Sequence, residues 1–179
     1  MIEDKYKELE TERLILRKIT DIDAKMLYQN IFNNFDWYKF YYQVPFKSLE
    51  EYQDLVSKYK EWYLNGNHFR WGIVEKNSNE MIGAIHLHSK DTLNNNCKIG
   101  YIISYRYNKQ GYAKEAVEKI LDFAFQELKF HRVEADIVVE NIDSIHLAES
   151  LGMKFESIKH ESYKLEEKYY DEKVYTMIR

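Results

Sequence analysis

Apolar residues Leu14, Leu16 and Ile19 recur within residues 13–19 in near alternation, which predicts a strand with one buried face. Thr20 and Asp21 then offer N-cap chemistry, and Ala24, Leu27, Tyr28 and Ile31 return at helical spacing. A second helix is expected from Ser48, with Glu51 placed to complete a capping box. Its apolar stripe is Tyr52, Leu55, Val56, Tyr59, Trp62 and Tyr63, and Gly66 is its expected stop. Between these helices, residues 35–42 form the densest aromatic cluster of the chain.

Three strand-like runs follow at residues 69–75, 81–88 and 97–104, separated by Asn77-Ser78-Asn79 and Asn94-Asn95-Asn96. That spacing predicts an antiparallel meander. Each run carries one glycine (Gly72, Gly83, Gly100), which points to close backbone approach or bulging. Over residues 111–128 the period changes: Ala113, Ala116, Val117, Ile120, Leu121, Ala124, Phe125 and Leu128 mark one face of a long helix. Residues 132–139 read as a strand, and Asn141 caps a helix running through Ser150. Residues 155–160 and 173–179 read as closing strands around a solvated loop of mixed charge, Glu161, Lys164, Glu166, Glu167, Lys168, Asp171 and Glu172. The order is that of an α/β sheet with one βαβ unit at residues 97–139.

A length of 179 residues suits a single domain over 1–179, and 45% hydrophobic against 31% charged residues is a globular balance. With 26 basic and 30 acidic residues the net charge is −4, which argues against nucleic acid or an anionic membrane as partner. A small basic pocket for one anionic ligand stays compatible with that sum. Cys97 is the single cysteine, so no intrachain disulfide or multi-cysteine metal site is expected, and no metal is assigned. Residues 1–10 are charged throughout and no long apolar run occurs, so a cytoplasmic protein without a membrane span is expected.

The informative junction is Tyr105-Arg106-Tyr107-Asn108-Lys109-Gln110-Gly111-Tyr112-Ala113, where a strand hands over to the long helix. A helix N-terminus presents unpaired N–H groups and a positive dipole end, suited to phosphate oxygens. Gly111 permits close approach, Ala113 keeps the first turn small, and Lys109 and Lys114 add positive charge. The loop has neither the GK[ST] of a nucleoside-triphosphate loop nor GxGxxG, so alone it is compatible with phosphate binding or with an ordinary connection.

Taken in order, three groups of segments resemble the GNAT family of acetyl-coenzyme A-dependent N-acetyltransferases, in its ribosomal-protein N-terminal acetyltransferase branch. They are Thr11-Glu12-Arg13-Leu14-Ile15-Leu16-Arg17 with Asp23-Ala24; Ile99-Gly100-Tyr101-Ile102-Ile103 with Asn108 to Ala116; and Arg132-Val133-Glu134-Ala135, Asn141-Ile142-Asp143-Ser144 and Leu151-Gly152-Met153. The resemblance implies a mixed, mostly antiparallel sheet of about seven strands flanked by four helices. In it the strand at 97–104 carries a bulge and splays from the strand at 132–139. It implies that backbone groups of Ile102, Ile103 and Ser104 hold the pantetheine arm. Asn108, Lys109, Gln110, Gly111, Tyr112, Ala113 and Lys114 are implied to receive the pyrophosphate, with Asn141 and Ser144 near the pantetheine and sulfur. Ser144 is the one residue carried over as a catalytic candidate. The implied reaction is direct transfer of acetyl from acetyl-coenzyme A to an amine, a protein N-terminus or a small amine, in a ternary complex.

Two departures bear on that reaction. Lys98 stands where many members carry an acid suited to deprotonate the incoming amine, and Ala148 where many carry the tyrosine that reprotonates the thiolate. They motivate an alternative, a module that binds acyl-coenzyme A without transfer. Glu75, His86 and His88 are substitute bases by position, although a solvent-facing reading is favoured for the histidines. Glu12 and Glu134 are equally explained by strand-end ion pairs. Trp37, Tyr38 and Tyr41 fall where the family builds its acceptor site, while packing accounts for at least half of such aromatics. Exposed strand edges and the surplus of aromatics are compatible with a homodimer.

Overall fold

Strand alternation sorts the apolar side chains onto two faces of one sheet. The structure, a computed structural model, describes residues 6–41, 44–64 and 69–179. Gly66, the expected stop of the second helix, and Tyr42 of the aromatic cluster lie outside the described residues. The strands are β1 (Leu9–Glu10), β2 (Leu14–Arg17), β3 (Phe69–Glu75), β4 (Glu80–Asp91), β5 (Asn96–Ile103), β6 (Arg132–Val138), β7 (Lys154–Leu165) and β8 (Lys168–Ile178). They assemble in the order β1-β2-β3-β4-β5-β6-β8-β7, and of the neighbouring pairs only β5 and β6 run parallel. That parallel pair is the βαβ unit read from the sequence, closed by α5 (Tyr112–Gln126).

The stripe Ala116, Val117, Ile120, Leu121 and Ala124 of α5 is buried against Leu14, Leu16, Ile85, Leu87 and Val133 on one face of the sheet. The other face is covered by α1 (Asp21–Leu27), the π-helical turn Tyr28–Phe32, α2 (Phe35–Tyr38), α3 (Leu49–Ser57) and α4 (Tyr59–Leu64). Leu27, Ile31, Tyr52 and Val56 meet Val74, Met81 and Ala84 there. Rings dominate this second core: Phe32 stacks on Tyr52 at 4.6 Å and meets Tyr38 edge-on at 5.2 Å.

Four features differ from the sequence reading. The described residues hold eight strands and six α-helices, because two-residue β1 lies in a charged tract, the aromatic cluster forms the short α2, and the second helix breaks at Lys58 into α3 and α4. The Ser48 hydroxyl does cap α3 by accepting from the Glu51 N–H at 3.2 Å, but the Glu51 carboxylate takes the Lys47 N–H at 2.7 Å. The tract read as a solvated loop at 161–172 is instead most of a hairpin, with Tyr163 opposite Tyr170 and Leu165 opposite Lys168. β7 is exposed along nearly all its length, so no apolar alternation marked it. The β4–β5 register is unbroken from Gly83↔Ile103 to His88↔Lys98, so the implied bulge is absent there; irregularity falls between His88 and Asp91.

The entry into α1 is pinned by charge. Arg17 Nη1 and Nη2 each donate to one Asp23 carboxylate oxygen at 2.8 Å, and the Thr20 N–H and hydroxyl donate at 2.9 Å. Burial pushes the Asp23 carboxyl up, but Arg17 and Thr20 outweigh it and hold it below its ordinary value. A depressed carboxyl contributes stability above its unfolded value of about 3.9 and loses it as pH falls through the folded value. Asp23→Asn is therefore expected to cost about 2 kcal/mol at pH 7, read as a fall of roughly 4–8 °C in Tm. The gap to wild type should narrow below pH 4; an equal gap at pH 7 and pH 3 would refute the pairing argument.

Candidate active site

The parallel ladder joins residues 96–98 of β5 to residues 132–134 of β6 and goes no further. Beyond it the strands part, β5 staying with β4 and β6 with β8. A cavity of about 740 Å³ opens at that fork. The Ser104 N–H donates to the Ile82 carbonyl at 2.7 Å, and the register of β4 with β5 is constant up to that pair. Antiparallel alternation then gives the backbone groups of Gly100, Ile102 and Ser104 to β4 and turns those of Tyr101 and Ile103 toward the fork. The Ile103 carbonyl is already taken by the Trp37 indole N–H at 2.8 Å. Of the three backbone positions implied for the pantetheine arm, Ile103 therefore faces the gap. Ile102 and Ser104 spend their amides on the sheet, and Tyr101 takes their place.

One end of the cavity is the start of α5, where Asn108, Lys109, Gly111, Ala113 and Lys114 line the wall. Gly111 is the N-cap with φ +85°, a left-handed conformation that costs glycine nothing. The Glu115 N–H bonds the Gly111 carbonyl at 3.1 Å and begins the helical ladder, leaving the preceding amides of the first turn without intrahelical acceptors. Arg13 of the β1–β2 connection braces this turn. Its Nε and backbone N–H donate to the Glu115 carboxylate at 2.7 and 2.8 Å, and Nη1 donates to the Gln110 carbonyl at 3.0 Å. The guanidinium lies 4.3 Å from the centre of the Tyr112 ring. The side chains of Gln110 and Tyr112 are outside the wall: Gln110 Nε2 donates to the Arg106 carbonyl, and the Tyr112 ring packs between Arg13 and Tyr107.

α6 (Ile142–Ser150) forms the opposite wall through Asn141, Ser144 and Leu147. The Asn141 side-chain oxygen caps the helix by accepting from the Ser144 N–H at 3.3 Å. Ser144 adjoins the Tyr101 hydroxyl, which is buried and forms no hydrogen bond of good geometry. Asp143 spans the mouth toward the loop, 3.7 Å from Lys109 Nζ. Ala148 is 4% exposed and belongs to the core, away from the cavity.

The far end is aromatic, with Trp37, Phe40 and Tyr41 on the wall and Asp36 and Glu140 among its charged residues. Tyr38 is not part of it: the side chain is 1% exposed and its hydroxyl accepts from the Phe46 N–H at 2.8 Å. Helical geometry puts Tyr38 on the buried side of the α2 turn, which ring content alone does not show. The β7–β8 hairpin reaches this end, where the Tyr163 hydroxyl bonds the Lys39 carbonyl and Phe40 packs against Tyr170 at 5.9 Å. The Tyr41 hydroxyl accepts from Arg70 Nη1 at 2.8 Å and lies 3.1 Å from His86 Nδ1. His86 is thus turned inward, against the expectation of a solvent-facing ring; a Cβ on Gly100 would stand 2.7 Å from its Cε1, so glycine there makes its room. His88 is half-buried on the same face, its ring 4.9 Å from that of His86 and its Nδ1 3.0 Å from the Ser89 hydroxyl.

Lys98 bonds Asp136 and lies 3.9 Å from Glu134, while Lys159 bonds Asp136 from the other side at 2.8 Å. Burial lowers the Lys98 ammonium, but these carboxylates outweigh it and the net shift is upward. Lys98 is held as a cation and is no base at neutral pH. Glu134 also pairs with Arg132 at 2.9 Å, and Glu75 accepts the Asn77 and Ser78 N–H groups of the following turn; neither lines the cavity. Burial pushes the Cys97 thiol up to about 12, so it offers no thiolate nucleophile.

The profile of the Acetyltransferase (GNAT) domain family matches residues 13–154. The uncharacterized N-acetyltransferase p20 of Bacillus licheniformis is 30% identical over 96% of both chains. The spermidine N(1)-acetyltransferase of Vibrio cholerae is 25% identical over 90% of both. In three dimensions, a ribosomal L7/L12 alpha-N-protein acetyltransferase, RimL, solved with coenzyme A, superposes with a TM-score of 0.85 over 94% of this chain and 95% of that one, at 20% identity. The forked sheet, the N-terminus of α5 at its opening and the matched span agree: the chain belongs to the GNAT family of acetyltransferases.

Proposed function

We propose that this protein transfers the acetyl group of acetyl-coenzyme A to a cationic amine, in one step within a ternary complex. The observation that carries the reading is the cavity itself, which joins a helix N-terminus at one end to an aromatic, partly acidic chamber at the other. The amides of residues 109–113, the dipole of α5, and Lys109 and Lys114 supply donors and charge for the pyrophosphate. The fork-facing backbone of Tyr101 and Ile103 supplies strand-like partners for the amides of the pantetheine arm, which would lie where β6 has moved away. That path brings the thioester to Ser144. Direct transfer is favoured because Cys97, buried and protonated, offers no thiolate nucleophile. Much of the acceleration comes from holding two substrates in reach of each other.

The acceptor chamber favours a cation. Trp37, Phe40 and Tyr41 offer ring faces, and Asp36 and Glu140 carry negative charge that Lys39 at 3.3 Å and Lys168 at 4.0 Å partly offset. Both a protein N-terminus and a polyamine satisfy that chemistry, and relatives named for spermidine and for a ribosomal protein bracket the choice. The experiment is thiol release from acetyl-coenzyme A against a panel of spermidine, spermine and short peptides with free N-termini. Turnover on at least one amine is expected. Coenzyme A binding with no turnover on any would instead favour the non-catalytic acyl-coenzyme A module, to which the fixed cation at Lys98 and the buried Ala148 lend support.

A further inference from the structure

We propose that the Tyr101 hydroxyl is the group that delivers a proton to the coenzyme A thiolate as it leaves. The inference rests on the reading above, that the thioester lies in the fork beside Ser144. Tyr101 points from β5 toward the α5 and α6 side of the sheet, lines the cavity, and ends next to Ser144. Its hydroxyl is buried yet has no hydrogen-bond partner of good geometry among the described residues. A buried hydroxyl whose contact with Ser144 falls short of good hydrogen-bond geometry is incompletely satisfied, and a ligand atom beside it would relieve that cost. The other tyrosine hydroxyls on the wall are committed elsewhere: Tyr107 donates to Glu80 at 2.9 Å, and Tyr41 is held between Arg70 and His86. At the α6 position where many family members carry a tyrosine, this chain has only the methyl of Ala148, and that is in the core.

The step balances without a further reactant. The bound ammonium first loses one proton to solvent; the neutral amine nitrogen then bonds to the thioester carbonyl carbon, the C–S bond breaks, and its electron pair stays on sulfur. The Tyr101 proton moves to that sulfur. The Tyr101 oxygen recovers a proton, through the Ser144 hydroxyl, from the nitrogen, which must shed one to become a neutral amide. Burial pushes Tyr101 up to about 12, against a smaller opposing effect of Ser144, so the hydroxyl keeps its proton throughout the neutral range. A thiol of pKa about 8.5 is the stronger acid, so donation is favourable only when the return from nitrogen is coupled to it. Ser144 thereby acquires a role as relay as well as neighbour of the sulfur.

Tyr101→Phe keeps the ring and removes the proton. It is expected to lower kcat about 100-fold while KM and Kd for acetyl-coenzyme A stay within about 2-fold, because a general acid acts on the transition state. A second variant carries 3,5-difluorotyrosine at position 101, which retains the hydroxyl but makes it more acidic. Its expected signature is retained turnover with the alkaline limb of kcat moved to lower pH. A kcat within 3-fold of wild type in Tyr101→Phe overturns the inference, and so does a loss that appears wholly in Kd, which would make the hydroxyl a binding group. If wild-type protein itself fails to bind acetyl-coenzyme A, the proposed function falls and this inference with it. Wild-type turnover with an insensitive Tyr101→Phe removes this inference alone.

Discussion

Replacing Gly111 with aspartate is expected to weaken coenzyme A binding by about 10²–10³-fold and to leave the protein folded. A left-handed residue other than glycine costs about 1–2 kcal/mol, with aspartate and asparagine the best tolerated. Gly111 is also the N-cap of α5, where aspartate gains only about a few tenths of a kcal/mol over glycine. A Cβ added at Gly111 would lie 3.2 Å from Arg13 Nη2, so the new carboxylate finds a cation at hand. The net cost in stability is about 1 kcal/mol, which leaves the protein folded. Binding is different, because the carboxylate occupies the approach of an anion. Two like charges about 4 Å apart repel by about 4 kcal/mol at an effective dielectric of 20, which solvent at the cavity mouth reduces. Gly111→Asn has the same conformational tolerance without the charge, and should lose about tenfold less affinity than aspartate. Calorimetry with coenzyme A on both variants reads the difference. Equal losses would mean that shape, not charge, excludes the ligand, and no loss in either would move the phosphate site away from α5.

Lys98→Glu carries the second large effect, and it falls on stability. Restoring the acid common in relatives looks at first like a repair of the catalytic base. In this sheet it places a third carboxylate against Glu134 and Asp136, with Lys159 the remaining lysine on Asp136. Loss of a half-buried pair and the new repulsion together are expected to cost about 3 kcal/mol, or roughly 6–12 °C in Tm. Lys98→Met, which removes the pair but adds no charge, should cost only about 1 kcal/mol. Repulsion from Glu134 and Asp136 raises the pKa of the introduced carboxyl above its unfolded value. The penalty is therefore present at neutral pH and relieved as pH falls toward 4. Thermal melts of both variants at pH 7 and pH 4.5 check this. A penalty for Lys98→Glu that does not shrink on acidification contradicts the electrostatic account.

The parts of the fold that were legible in the sequence are those where periodicity and local chemistry agree. α5 shows a clear helical stripe because one face is wholly buried, and the β3–β5 meander is bounded by asparagine turns in which Asn79 and Asn95 adopt positive φ. Ser48 and Asn141 both cap the helices they were expected to cap. The β7–β8 hairpin was hidden because β7 lies at the sheet edge with almost no buried residue, and edge strands need no alternation. The junction into α5 was visible as a helix start, whereas its brace was not. Arg13 and Glu115 are 102 positions apart, and nothing local marks them as partners. The strand periodicity of β5 places Tyr101 on the face of Ile99 and Ile103, toward α6. Tyr38, Trp37 and Tyr41 look alike as a cluster, and only the turn of α2 separates the buried ring from the two on the cavity wall.

The chemistry proposed for the cavity turns on where coenzyme A lies, and one measurement reads that directly. A crystal structure of the protein soaked with coenzyme A should place the pyrophosphate on the amides of residues 109–113 and the pantetheine arm along Tyr101 and Ile103 between β5 and β6. The sulfur should lie within hydrogen-bonding reach of the Ser144 and Tyr101 hydroxyls. Coenzyme A ordered outside the fork, or within it but with its sulfur remote from both hydroxyls, would contradict the account.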